Sequence, residues 1–584
     1  GGGGNSTNNT DAPAGFAVAG YDAKAYRFSW NPRSGATRYE LFEDPDGPGP
    51  LPEAQVGGAL TGTTYSHNLA GQLLYKRVNA SYRLRACDAN GCGAFTAALT
   101  PDVTKAIGYF KASNNTSPGD FGSAVALSTD GKTLAVGAPS ERSKSTGING
   151  DEADAGAQDA GAVYVFTRQS TAAAWSQQAY VKASNTQVFA RPITPVGPRF
   201  GASLALSADG STLAVGAPDE RSNARGVNGD QTNTDTPGAG AAYVFTRAGN
   251  TWSQQAYVKA SNTLPKGAFG TDIISANNVL RRHHFGASVA LSADGSLLAV
   301  GSPGEDSNAT GVNGNQDDHS RWKAGAVYTY VRSGSTWAHQ AYLKAHAGDE
   351  VHFGNSVSLS GDGATLAVGA PYDYGNPGSG QRSDGAAYVF THSGNDWSQQ
   401  AYLKISDAGV GGKFGDSVAV SADGNTLAAR GEVGFVVLFT RTGAAWNEQA
   451  RVTGKSSSMA LSGDGSTLIV GWTDDASSAT GINGSENNST AVQAGGVRLY
   501  QRSGAAWSQR TYLKASNAEA DDRFGSSVAL SGDGTTLAAG ATSERSKATG
   551  VQGDQTDNSG PAPYPHIPGY FFPRVSNYGA VYLY

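Results

Sequence analysis

The sequence predicts an all-β chain: a β-sandwich followed by a seven-bladed β-propeller with four-stranded blades, its ring closed by an N-terminal strand. Three observations lead there. Of 584 residues, 79 are glycine and only 16% are charged, a composition that suits short strands joined by turns rather than long amphipathic helices. Apolar residues within the first hundred positions alternate with polar ones. Beyond them, a unit of four strands recurs seven times.

The expected organisation is a flexible tether at 1–10, a sandwich at 11–103 and the propeller at 104–584. The tether opens Gly1-Gly2-Gly3-Gly4 and continues in Asn, Ser and Thr, with no apolar surface to bury. It resembles the linker after the lipidated cysteine of bacterial lipoproteins, which implies a lipid anchor upstream of Gly1. That cysteine is absent from the chain, and a disordered terminus or a processing remnant is an equally simple reading.

In the block 11–103, Phe16 and Val18, then Tyr26, Phe28 and Trp30, then Tyr39 and Leu41, and later Tyr82, Leu84 and Ala86 alternate with polar neighbours, the period of a half-buried strand. The only cysteines, Cys87 and Cys92, flank an Asn90-Gly91 hairpin signal that draws their strands together. A local disulfide is expected, with two buried thiols as the alternative; a bridge implies an oxidising compartment. Four intervening residues and no second pair do not suit a metal or redox motif.

The block resembles a fibronectin type III domain over about 90 residues. Ala25–Trp30 looks like its second strand with the core tryptophan, and Tyr82–Cys87 like its sixth, where a tyrosine corner is expected. The resemblance implies a spacer or recognition module without chemistry.

One repeat reads Phe121-Gly122-Ser123-Ala124-Val125-Ala126-Leu127-Ser128, then Asp130-Gly131, then Thr133 to Pro139, a long polar stretch, Gly161 to Phe166, and Trp175 to Lys182. Its Asp-Gly, read as a two-residue hairpin turn with glycine at positive φ, recurs at Gly131, Gly210, Gly295, Gly363, Gly424, Gly465 and Gly534. Seven units of constant strands and variable loops fit a propeller, with a linear solenoid as runner-up. Closure favours the ring: the chain ends on the third strand of unit seven, Gly579 to Tyr584, and a stray fourth-strand copy, Ile107 to Ala112, precedes unit one.

Phe-Gly at positions 121, 200, 285, 353, 414 and 524, with Gly-Ala-Pro ending the second strand of units one, two and four, resembles the FG-GAP repeat of integrin α-chain propellers. Unit five has Ala429-Arg430-Gly431 instead, and unit six lacks Phe-Gly, reading Ser457-Ser458-Met459. The resemblance implies adhesion or ligand binding on the face that carries the loops after strand two. Integrin-type calcium loops between strands one and two are shortened here to Ser-x-Asp-Gly, too few oxygens for the roughly six to eight that calcium takes.

The variable loops converge on one face, and rigidly mounted loops are where recognition usually sits. The expected ligand-face residues are Glu141, Asn149, Asp151, Glu220, Asn228, Asp230, Asp306, Asn313, Asp475, Asn483, Glu544 and Asp554. Asp151 with Asp154, Asp230 with Asp235, and Asp554 with Asp557 are candidate calcium ligands; solvated loops fixed by Asx and glycine turns are the competing reading.

The net charge of −6 comes from interspersed signs with no basic stripe, which argues against nucleic acid. No run of about 18 apolar residues spans a membrane as a helix. No hydrolase elbow, Walker loop or His-Glu-x-x-His helix appears, so no enzyme is expected. Gly415-Asp416-Ser417 only superficially resembles a nucleophile motif, since Ser417 shares the register of Ser203, Ser288, Ser356 and Ser527. His283 and His284 read as an exposed polar pair, with a metal role as the alternative. Trp175, Trp252, Trp337, Trp397, Trp446 and Trp507, each beside glutamine or its like, read as outer-strand packing rather than sugar stacking. The expectation is an extracellular or cell-surface bacterial protein binding a protein or glycan; a carbohydrate-binding or matrix and surface-assembly component is the alternative.

Overall fold

The computed structural model describes residues 11–114, 118–170, 174–188, 197–265, 282–346, 348, 350–375, 384–405, 412–431, 434–454, 458–560 and 577–584. The expected tether at 1–10 lies outside them. The described residues are all-β; the helical turns among them are two short 3₁₀ segments, Leu74–Arg77 and Val103–Ala106.

Two small sheets occupy the N-terminal block. Ala17–Asp22, Ala25–Ser29 and Thr64–Asn68 form one; Arg38–Asp44, Ala54–Leu60, Ser81–Asp88 and Gly91–Cys92 form the other. Of the alternating residues, Tyr26, Phe28, Trp30, Tyr39, Leu41, Tyr82, Leu84 and Ala86 are buried in one cluster, with Phe16 and Val18 partly buried against it. Cys87 pairs with Cys92 across the hairpin, and the two are disulfide-bonded. The Tyr82 hydroxyl departs from a tyrosine corner: it donates to the Glu43 carboxylate on the neighbouring strand at 3.1 Å.

Seven further antiparallel sheets follow the sequence repeat. In unit one, Ala124–Leu127, Thr133–Ala138, Ala162–Thr167 and Ser176–Val181 lie in chain order across the sheet. First strands of consecutive units lie against one another, and that of unit seven touches that of unit one, giving a propeller-like arrangement. Thr133–Ala138 and Ala162–Thr167 are buried along their whole length, which is why they read as continuous apolar runs without alternation. The stray early strand, Gly108–Phe110, pairs with the last, Ala580–Leu583, and so supplies the fourth strand of unit seven.

The Phe-Gly and Gly-Ala-Pro motifs meet in space. The Gly122 N–H donates to the Gly137 carbonyl at 3.0 Å, and Gly201, Gly286 and Gly354 repeat the bond to Gly216, Gly301 and Gly369. The Gly415 N–H reaches the Arg430 carbonyl, so unit five needs only that backbone oxygen and tolerates arginine there. Each motif phenylalanine also forms a parallel bridge to the glycine opening the third strand of the preceding unit, as in Gly161 with Phe200, Gly240 with Phe285, and Gly579 with Phe121 across the closure.

The Asp-Gly turns are longer than the two-residue hairpins that the dipeptide suggests. Ser128 and Thr133 pair across a four-residue loop in which Gly131 sits at φ 63°. The Ser128 hydroxyl drives the difference: it accepts the Thr133 N–H at 2.9 Å and donates to Asp130 at 2.7 Å, replacing the ladder bond of a tighter turn. Asp130, Asp209, Asp294, Asp362 and Asp464 have lowered pKa values. Partial burial opposes this shift, but the hydrogen bonds from the flanking hydroxyls and N–H groups outweigh it.

Two expectations follow. A β-carbon on Gly240, held at φ 81°, would lie 2.1 Å from the Phe285 carbonyl oxygen, so Gly240→Ala lowers unfolding free energy by more than about 2 kcal/mol in urea titrations. Carboxylates with folded pKa values below the unfolded value of about 3.9 contribute stability above that value and lose it as pH falls through the folded one. Melting temperature therefore falls as the pH drops below about 4, with a shallower slope in Asp209→Ser.

Candidate functional site

The long loop after each second strand is fastened by a repeated polar device. Lys182, just past the fourth strand of unit one, is buried and donates to Glu141 at 2.6 Å. Lys259 with Glu220 (2.7 Å), Lys344 with Glu305 (2.5 Å) and Lys111 with Glu544 (2.5 Å) repeat the pair, and Lys514 with Asp475 repeats it more loosely at 3.5 Å. Burial lowers the pKa of each lysine, and the paired carboxylate opposes that shift.

The same carboxylates tie neighbouring units together. Asn185, three residues after Lys182, donates to Glu220 of the next unit at 2.9 Å and accepts the Tyr243 hydroxyl at 2.5 Å. Asn114 with Glu141 and Tyr164, Asn262 with Glu305 and Tyr328, and Asn517 with Glu544 and Tyr582 repeat it. The signal for this lock stands in the sequence as Lys-Ala-Ser-Asn at 111–114, 182–185, 259–262 and 514–517, and the repeat reading passed over it.

The Gly-Ile/Val-Asn-Gly segment of each long loop, Gly-Val-Gln-Gly in unit seven, runs along the outer edge of its sheet. Ile148 bridges Val181, Val227 bridges Val258, Ile482 bridges Leu513, and Val551 bridges Phe110. In unit three Gly311–Val312 becomes a fifth strand on Thr336–Lys344. The asparagines at positive φ cap this edge: the Asn149, Asn228 and Asn313 side chains accept the Tyr180, Tyr257 and Tyr342 N–H groups at 2.9 Å, and Asn483 accepts the Tyr512 N–H at 3.4 Å. An unpaired sheet edge invites association, and the loop covers it.

These contacts sort the expected ligand-face residues. Glu141, Glu220, Asp306, Asp475 and Glu544 are buried and correct the expectation of loop-surface acids: four of them face a dehydrated lysine that holds them inside the loop, and Asp306 lies against His283 and His319. Asn149, Asn228, Asn313 and Asn483 are exposed residues with their side-chain oxygens engaged by backbone. Asp151, Asp230 and Asp554 are exposed, each accepting the N–H two residues on, as in an Asx turn. Asp154 and Asp557 make the same turn with Gly156 and Ser559, and Asp235 is exposed. None of the three aspartate pairs forms a three-ligand cluster among the described residues.

His283 corrects the reading of an exposed pair: it is 3% exposed and lies 3.1 Å from Asp306, while His284 is partly exposed beside Asp219 at 3.8 Å. The tryptophans pack as expected. Trp252, Trp337, Trp397, Trp446 and Trp507 each donate from the indole N–H to a glutamine of the preceding unit, Gln178, Gln255, Gln340, Gln400 and Gln449. Unit one has no such partner, because the strand before it is only Gly108–Phe110; the Trp175 indole N–H is buried with no acceptor among the described residues. Trp175 and Arg168 line a cleft of about 310 Å³ with Asp22, Ser66, His67 and Gln552, between the N-terminal block and the repeated sheets. Sequence reading missed this cleft, because it exists only where the repeat is cut short.

Removing one partner of a buried pair leaves an uncompensated charge, so Lys259→Met lowers unfolding free energy by about 3–5 kcal/mol, and Lys259→Met with Glu220→Gln recovers part of the loss. Chemical denaturation checks this; a single variant within about 0.5 kcal/mol of the parent would contradict the buried-pair account.

Residues 337–390 and 507–560 match the family model described as FG-GAP repeat. No curated protein matches the chain. One similar solved structure is a "putative 6-phosphogluconolactonase" from Bacteroides uniformis, 10% identical, covering 74% of this chain and 92% of its own with a TM-score of 0.38. Another is Chaetomium thermophilum Sqt1 bound to the N-terminus of ribosomal protein L10, 15% identical, covering 77% and 88% with a TM-score of 0.40. With its motif glycines and phenylalanines in mutual contact, the chain is all-β and propeller-like, and two of its segments match the FG-GAP repeat model.

Proposed function

We propose that the chain is an extracellular or cell-surface binding protein in which a fibronectin type III-like sandwich (11–103) precedes a seven-bladed propeller (104–584). In this reading it recognises a protein ligand through the long-loop face. The observation that supports this is the fastening itself. Buried lysine–carboxylate pairs and edge bridges hold long polar loops in the same conformation in units one, two, three, six and seven, leaving Asp151, Asp230 and Asp554 exposed on turns of fixed shape. Loops already ordered lose little entropy on binding, which favours recognition by a rigid surface. Calcium enters this proposal as a bridging ion between exposed aspartates and an acidic ligand.

A carbohydrate ligand is the second reading, carried by the cleft at Trp175. The buried Trp175 indole N–H, which has no acceptor among the described residues, and the Arg168 guanidinium over its ring offer hydrogen-bond donors to a sugar.

Binding of the purified chain to arrays of surface proteins and of glycans, with calcium and with chelator, separates the readings. A protein ligand whose binding falls about tenfold or more in Asp151→Asn/Asp230→Asn/Asp554→Asn supports the loop face. A glycan ligand lost in Trp175→Ala but kept in the triple variant moves the function to the cleft. Binding unchanged in both variants contradicts both sites.

A further inference from the structure

Unit three departs from the other units at three positions that are far apart in sequence and adjacent in space. Where units one, two and seven have Arg142, Arg221 and Arg545 beside the buried glutamate, unit three has Asp306. The residue two before its Phe-Gly is His283, a position where no other unit has histidine. The residue two before the N–H that closes the loop onto position 306 is His319; its counterparts in units one, two and six, fixed by the same backbone bond, are Ala155, Thr234 and Ser489. The chain has only nine histidines, so the convergence of two of them on the single aspartate at this position is not explained by the repeat.

The side chains meet through their ligand atoms. His283 Nε2 lies 3.1 Å and His319 Nδ1 2.8 Å from Asp306 Oδ1, and all three atoms fall within 4.8 Å of one another. Donors on a tetrahedral sphere of zinc–ligand radius are about 3.3 Å apart, so small adjustments would seat an ion. Asp306 is buried, His283 is buried, and His319 is 23% exposed, which gives a dry site with one open side. Glu305 next to it is already engaged by Lys344, which leaves Asp306 as the anionic ligand.

We propose that His283, Asp306 and His319 form a binding site for a divalent transition-metal ion, zinc foremost, that clamps the segment entering unit three to that unit's long loop. Two imidazoles and a carboxylate suit zinc and its first-row neighbours, whereas calcium takes oxygen donors and would reject the two nitrogens. Three protein ligands leave the fourth position to water or to a donor group of a bound partner, on the side where His319 is exposed. The site is separate from the aspartate turns of the loop face and does not depend on the proposed ligand.

The test uses the full chain, stripped with chelator and titrated with zinc alone, with metal content, calorimetry and the visible absorption of the cobalt-substituted protein as readouts. Asp306→Arg places at this position the residue that three other units carry, and His319→Gln alters a partly exposed side chain and so keeps the test independent of the buried substitution. The proposal expects one zinc per chain, tetrahedral cobalt bands, and a melting temperature raised by zinc. It expects Asp306→Arg to abolish binding and His319→Gln to weaken it by more than about tenfold, with His319→Gln melting like the parent in chelator. Absence of zinc uptake by the parent chain, or uptake unchanged in both variants, would overturn it.

Discussion

The rest of the structure depends on a lysine that is buried at the end of an outer strand and must find a carboxylate. Taking an ammonium group out of water costs several kcal/mol, which only a close, hydrogen-bonded anion offsets. In four units that anion is a glutamate, and it comes from the long loop of the same sheet. An aspartate, one methylene shorter, makes the same contact at greater distance in unit six. Pairing therefore pulls the loop back over the strand edge and fixes its course.

Because the same carboxylate also receives the asparagine of the preceding unit, the device acts between units as well as within them. Each asparagine follows its lysine by three residues, so a single short motif fastens one loop and braces the next sheet. Backbone contacts between the Phe-Gly and Gly-Ala-Pro glycines do the corresponding work nearer the inner strands, where neither side has room for a β-carbon. Among the described residues, units four and five lack the buried lysine–carboxylate pair. Unit four substitutes Asp373, which accepts the Tyr388 and Tyr402 hydroxyls and offers its carbonyl to Lys404.

The four antiparallel strands of each unit and their order, the Cys87–Cys92 bridge and the early strand that pairs with the last were legible in the sequence, because strand periodicity and turn residues are local signals; the fifth strand of unit three was not. The roles of the recurrent polar residues were not. Glu141 and Asn149 look alike in a sequence as loop polars; only the lysine 41 residues after Glu141 and the edge strand opposite Asn149 show that both are structural. The turn length was missed for a similar reason, since the Ser128 hydroxyl substitutes for a backbone acceptor that the Asp-Gly dipeptide alone does not reveal. The histidine–aspartate cluster is visible only when unit three is compared with its siblings in space.

The central claim is that the long loops are parts of the sheets and not appendages to them. Native-state hydrogen exchange at individual amides tests it most directly. The Asn149 N–H donates to Tyr180 and the Lys182 N–H to Gly147, both at 2.7 Å. The account predicts that these amides exchange as slowly as those of Ala162–Thr167 in the third strand. Exchange at the rate of an open surface loop, with the strand amides still protected, would contradict it.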